Sequence, residues 1–190
     1  MSILFLLLFL FIVGGAIAYL VTIYNGLIAV KNNVDKAWAN IDVLLKQRHD
    51  ELPNLIEVCK GYMKYEGDTL ARVTQARNQF AQATTVDQKT EVSANLSAAV
   101  GRLIATAESY PDLRANANFM QLQGRITELE SEIADRREFY NDSVNTFNTR
   151  IQEMPDLILA GSMNLHPRQM FQVASEDKEP VKVSFAEISH

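Results

Sequence analysis

From Ile3 to Ile23 the chain carries no charged residue and is built almost wholly of Leu, Ile, Phe, Val and Ala. As a helix this run is about 31 Å long, close to the ~30 Å hydrocarbon core of a bilayer. It therefore constrains everything downstream: the chain begins in a membrane, or it loses this run as a signal peptide. Ala16-Ile17-Ala18 resembles a cleavage site and keeps the second reading open. No basic residue precedes the run, and it continues through Tyr19-Leu20-Val21, which favours an uncleaved anchor. Gly14, Gly15 and Ala18 form a small-residue patch that would let neighbouring anchors approach closely, although glycine is common in membrane helices generally. Lys31 and Lys36 follow the run, so the positive-inside rule places the rest of the chain in the cytoplasm.

Beyond the anchor the hydrophobic pattern is helical. Leu27, Val30, Val34, Trp38, Ile41 and Leu45 recur three and four apart, with Arg48 and Leu52 continuing the series. Gly26 alone interrupts between anchor and stripe, so the membrane helix is expected to run straight on. Pro53 removes a backbone donor and is expected to kink or locally restart the helix, and Leu55, Ile56, Cys59 and Met63 resume the stripe. A break is expected near Glu66-Gly67-Asp68, followed by a short helix with Leu70, Val73, Ala76 or Arg77, and Phe80. Thr85 and Gln88 fit a capping box opening a helix whose face carries Val92, Leu96, Ala99, Leu103 and Ala107. Tyr110-Pro111 ends it.

Phe119, Leu122, Ile126, Leu129 and Ile133, then Tyr140, Val144, Phe147, Ile151 and Met154, define the longest stripe. The expected fold is all-α: a transmembrane helix (residues 1–23) continuing into an elongated antiparallel bundle of about four helices (24–160), then an irregular tail (161–190). In that tail Val181, Val183 and Phe185 alternate like a short strand that has no partner strand in this chain.

Two arginines fall on otherwise apolar stripes, Arg48 on the first and Arg136 on the last. A buried guanidinium needs acceptors, so each is expected either to snorkel to water or to join an ionic layer with Asp50, Glu51 or Asp135. Such a layer would fix helix register.

The residues supply little for catalysis. His49, His166 and His190 form no ligand pair at helical spacing, and Glu128 and Glu132 read as a solvated face. Cys59 lies on the apolar stripe and reads as a buried, inert thiol; a single cysteine forms no intrachain disulfide. There is no phosphate-cradling glycine loop and no nucleophile elbow. A net charge of −5 with scattered Lys and Arg argues against nucleic acid as a partner. The expectation is a non-enzyme without cofactor or metal.

Taken in order, Tyr24-Asn25-Gly26-Leu27, Ala37-Trp38 and Arg48-His49-Asp50-Glu51-Leu52-Pro53-Asn54-Leu55 resemble the LemA family. So do Tyr110-Pro111-Asp112-Leu113 with Ala115-Asn116, Phe119 to Gln123, Arg136-Arg137 with Tyr140-Asn141, Phe147-Asn148 with Pro155, and Val181 to Phe185. Gln47 and Tyr65 depart from the usual pattern, where a second basic residue and a His are common. The resemblance implies a bacterial single-pass membrane protein with a helical bundle and no established enzymatic activity, and the inner membrane is the expected location. It further implies relatives in magnetosome membrane formation, and others encoded near membrane proteases or other envelope proteins. The leading functional expectation is a self-associating scaffold on the bilayer; the rival is a monomeric adaptor presenting its bundle or tail to an envelope protease or sensor complex. A hydrolase would need a pocket with perturbed titratable groups, which this charge pattern does not suggest.

Overall fold

The computed structural model describes residues 2–171, and the strand-like stretch at Val181, Val183 and Phe185 lies outside them. The described residues hold helices and no strand. They comprise α1 (Ser2–Tyr62), α2 (Gly67–Gln82), α3 (Val86–Ala107), the single turn α4 (Pro111–Arg114), α5 (Ala117–Arg150) and α6 (Asp156–Ser162).

Helix α1 is continuous from the apolar N-terminal run into the amphipathic stripe, with Gly26 and Pro53 inside it. Its first part is long and apolar enough to cross a membrane, and none of the most apolar stretch is buried. The character changes at Ile23, which is covered, and from there Leu27, Val34, Ala37, Ile41, Leu45, Arg48, Leu52 and Leu55 form one buried row. Trp38 turns out half-buried beside this row, with Ala37 in its place.

The helices divide between two compact units. The first contains residues 2–53 and 121–171, and the boundary falls directly after Pro53. Within it α1 and α5 pair at several levels. The Trp38 and Tyr140 rings meet edge to face with centroids 5.8 Å apart, and Arg48 bonds Glu130. Ten residues forward on α1 match ten residues back on α5, so these segments run antiparallel. Leu129, Ile133, Tyr140, Val144 and Phe147 form the buried face of α5 here, and Ile151, just past its end, is buried with them. Each such side chain contributes about 1.5–3 kcal/mol on leaving water.

The second unit contains residues 54–120. In it α2 packs on α3, burying Leu70, Val73, Ala76 and Phe80 of one helix and Thr90, Ser93, Leu96, Val100 and Leu103 of the other. Leu96, Leu103 and Ala107 are buried as the periodicity predicts, whereas Val92 and Ala99 are half-buried and Thr90, Ser93 and Val100 pack inward beside them. The hydroxyl of Thr90 donates to the Val86 carbonyl at 2.8 Å, which makes its burial inexpensive. Thr85 and Gln88 form the expected capping box: the Gln88 amide donates to the Thr85 hydroxyl, and the Gln88 side chain accepts from the Thr85 amide. Asn116 opens α5 by accepting from the Phe119 amide.

The last turn of α6 ends in a Schellman motif. The Leu165 amide donates to the Ala160 carbonyl and the Asn164 amide to the Gly161 carbonyl, with Asn164 at φ 53°. Asparagine is among the residues that tolerate this left-handed conformation best. The turn leads into a strap over residues 165–171 that belongs to no helix.

Candidate functional site

The polar centre of the first unit is Arg48. It is completely buried, and its Nη1 donates to Glu130 Oε1 at 2.7 Å. Burial pulls the guanidinium below its ordinary range, Glu130 opposes that pull, and the nearby charge of Arg137 adds to it. A guanidinium nonetheless keeps its proton, so the pair is ionic. Glu130 remains 27% exposed, which lets water share the carboxylate.

The partners differ from those anticipated. Asp50 is exposed and contacts His49 at 3.1 Å, and Glu51 is half-buried. Arg136 is exposed, whereas its neighbour Arg137 lies half-buried with its guanidinium 5.5 Å from the Phe171 ring centroid. Between Ile133 and Tyr140 the stripe can step through position 136 or 137. The two differ by about 100° around the helix, and the tertiary contact selects 137. Met154, counted as the last member of the α5 stripe, is instead exposed.

A second polar array went unread in the sequence. Asn148 accepts from the Arg168 amide at 2.8 Å and donates to the Arg168 carbonyl at 2.9 Å. Asn141 does the same for Phe171, at 2.7 and 3.1 Å. Each carboxamide thereby imitates a neighbouring strand for one residue of the strap. The spacing is geometric: seven helical residues rise about 10.5 Å, and three extended residues span about 10 Å. Tyr140 adds a hydroxyl bond to the Gln169 carbonyl at 3.1 Å, between the two clamps. The usable signal was a pair of asparagines one heptad apart beside an apolar stripe, with an extended Pro-containing segment downstream.

At the end of α5, Arg150 bonds Asp156, the first residue of α6, through Nε at 2.7 Å. The same guanidinium lies over Gly26: a Cβ built there would meet Nη2 at 2.9 Å. A side chain at position 26 would push the arginine aside.

Other sequence-derived candidates remain apart. No side chain approaches Gly14 or Gly15 within 4 Å of where a Cβ would stand, and Ala18 is exposed. Cys59, in the second unit, is fully buried, and burial pushes its thiol up to about 11. Among the described residues no three His, Cys, Asp or Glu side chains gather in a metal-holding group.

These features define a class: an all-helical protein whose first helix carries an uncovered, membrane-length apolar run and then joins an antiparallel partner around a buried Arg–Glu pair. Residues 37–185 match the LemA family, and the chain belongs to that family. Protein LemA of Metamycoplasma hominis is 27% identical over 182 residues, covering 95% of this chain and 83% of that protein. The magnetosome proteins MamQ 1 and MamQ 2 of Paramagnetospirillum magneticum are each 21% identical over 191 residues, covering 87% of this chain and 70% of theirs.

Proposed function

We propose that this protein is a non-enzymatic scaffold of the bacterial inner membrane, anchored by a single span and self-associating through its helical bundle. One observation carries the reading: α1 passes without a break from an uncovered apolar run into the buried stripe of a folded unit. A helix without a flexible joint transmits orientation, so copies anchored side by side present their folded parts in a common attitude. Family membership and the similarity to two proteins named for the magnetosome support a role at membranes. The protonated Cys59 thiol and the ion pair at Arg48 are both engaged in packing, which supports a structural role rather than a catalytic one.

The test is the mass of the intact chain purified in mild detergent, with and without crosslinking. Discrete species larger than one chain are expected. A single-chain mass that crosslinking leaves unchanged would refute self-association. A stoichiometric complex with a different membrane protein would replace the scaffold with an adaptor for an envelope protease or sensor.

A further inference from the structure

Three exposed apolar side chains lie close together in sequence at the corner between α5 and α6. Met154, Leu157 and Ile158 are 71%, 46% and 65% exposed. Asp156, between these side chains, is turned inward and bonded to Arg150. The corner is also fixed in height along α1. Arg150 links Gly26 to Asp156, so α6 starts one guanidinium away from Gly26. Ile23 is only 6% exposed, so protein packs against α1 up to the end of its apolar run.

Gly26 lies three residues beyond Ile23, a rise of about 4.5 Å. The headgroup layer extends about 5–8 Å beyond the hydrocarbon core on each side, so Gly26 falls within it. An apolar surface at this depth, beside the uncovered part of α1, meets lipid rather than bulk water. We propose that Met154, Leu157 and Ile158 form a second membrane contact, seated in the interfacial layer of the bilayer that α1 spans. This rests on the anchored reading above. It gives the folded unit two points of attachment, the α1 rod and the α6 corner, and so fixes its rotation about the rod as well as its tilt. Gln152 and Glu153 of the same corner are exposed and polar, which suits the boundary between headgroups and water.

The test uses the full chain reconstituted in phosphatidylcholine–phosphatidylglycerol vesicles. A polarity-sensitive fluorophore is attached through Ile158→Cys, with Leu10→Cys in the apolar run and Val43→Cys as reference sites. Val43 is 57% exposed and about 30 Å further along α1 than Ile23. Cys59 does not compete for the label, being buried with its thiol pushed up to about 11. Spin-labelled lipids carrying the nitroxide near the headgroup or near the chain end act as quenchers. The inference expects the Ile158 label to lose emission to the shallow quencher more than to the deep one, with Val43 unaffected and Leu10 quenched. Leu10 quenched but Ile158 as bright as Val43 would overturn the second contact and leave the anchor standing. A blue-shifted Ile158 label that lipid does not quench would also overturn it, by showing that another copy of the protein covers the corner. An unquenched Leu10 label would overturn the anchor itself, and the second contact with it.

Discussion

At Arg48 a single cation sits where a leucine would complete the α1 stripe, and its environment decides what substitutions cost. Glu130→Ala removes the carboxylate paired with a fully buried guanidinium and is expected to lower stability by about 2–3 kcal/mol, less than for a wholly buried pair because Glu130 is partly solvated. Arg48→Met removes the buried charge while keeping an apolar stem, and leaves Glu130 able to reach water. Its cost is expected to stay within about 1 kcal/mol. Urea denaturation of both variants checks this asymmetry, and equal losses would contradict it. Arg136→Met, on an exposed position, is expected within ~0.5 kcal/mol of the parent. Cys59 supplies a pH signature. Burial pushes its folded thiol up to about 11 from an ordinary 9.0, so over that window the folded state holds a proton that the unfolded state releases. Stability is therefore expected to be at its full value below about pH 9, where this thiol adds no pH dependence, and to fall as pH rises from about 9 to 11. Alkylation of the native protein at neutral pH is expected to be slow and to become fast in denaturant.

The elements are held by a few side chains whose roles depend on distance along a helix. The strap over residues 165–171 owes its course to Asn141 and Asn148, each supplying a donor and an acceptor to one strap residue. Replacing both with Ala removes four hydrogen bonds of about 1 kcal/mol each at most. The expected outcome is faster amide exchange and protease cleavage within 165–171, while the helical signal stays unchanged. Unaltered protection would mean that the Tyr140 hydroxyl and the Arg137–Phe171 contact suffice. In the second unit, Thr85→Ala breaks the capping box of α3 and is expected to cost about 1 kcal/mol, measurable in the same urea experiment.

For the molecule as a whole, the decisive contrast is between residues 3–21 of α1, all uncovered, and the buried row that begins at Ile23. Removing residues 2–21 while keeping the initiating methionine is expected to leave a helical chain that stays in the aqueous layer on detergent phase separation. The full chain is expected to partition into detergent. If both chains stay in the aqueous layer, the apolar run does not act as an anchor. Under the proposed anchoring, a stiff helix between the apolar run and the fold would let the bilayer set the attitude of each copy, which is why anchoring and self-association belong to one proposal.

Much of this architecture was legible because helices advertise themselves locally. The charge-free run at Ile3–Ile23, the three–four spacing of Leu27 to Leu52 and Phe119 to Ile151, the Thr85–Gln88 cap and the break near Gly67 all depend on residues within a few turns of one another. Periodicity marks an apolar face but not what covers it. Hence Glu130 as the partner of Arg48, Arg137 rather than Arg136 beside the core, and the exposure of Met154 emerged only in three dimensions. The same holds for the asparagine clamps and the close approach of Arg150 to Gly26. Each joins residues far apart in the chain, and their geometry follows from how α1, α5 and the strap are packed, which no local spacing encodes.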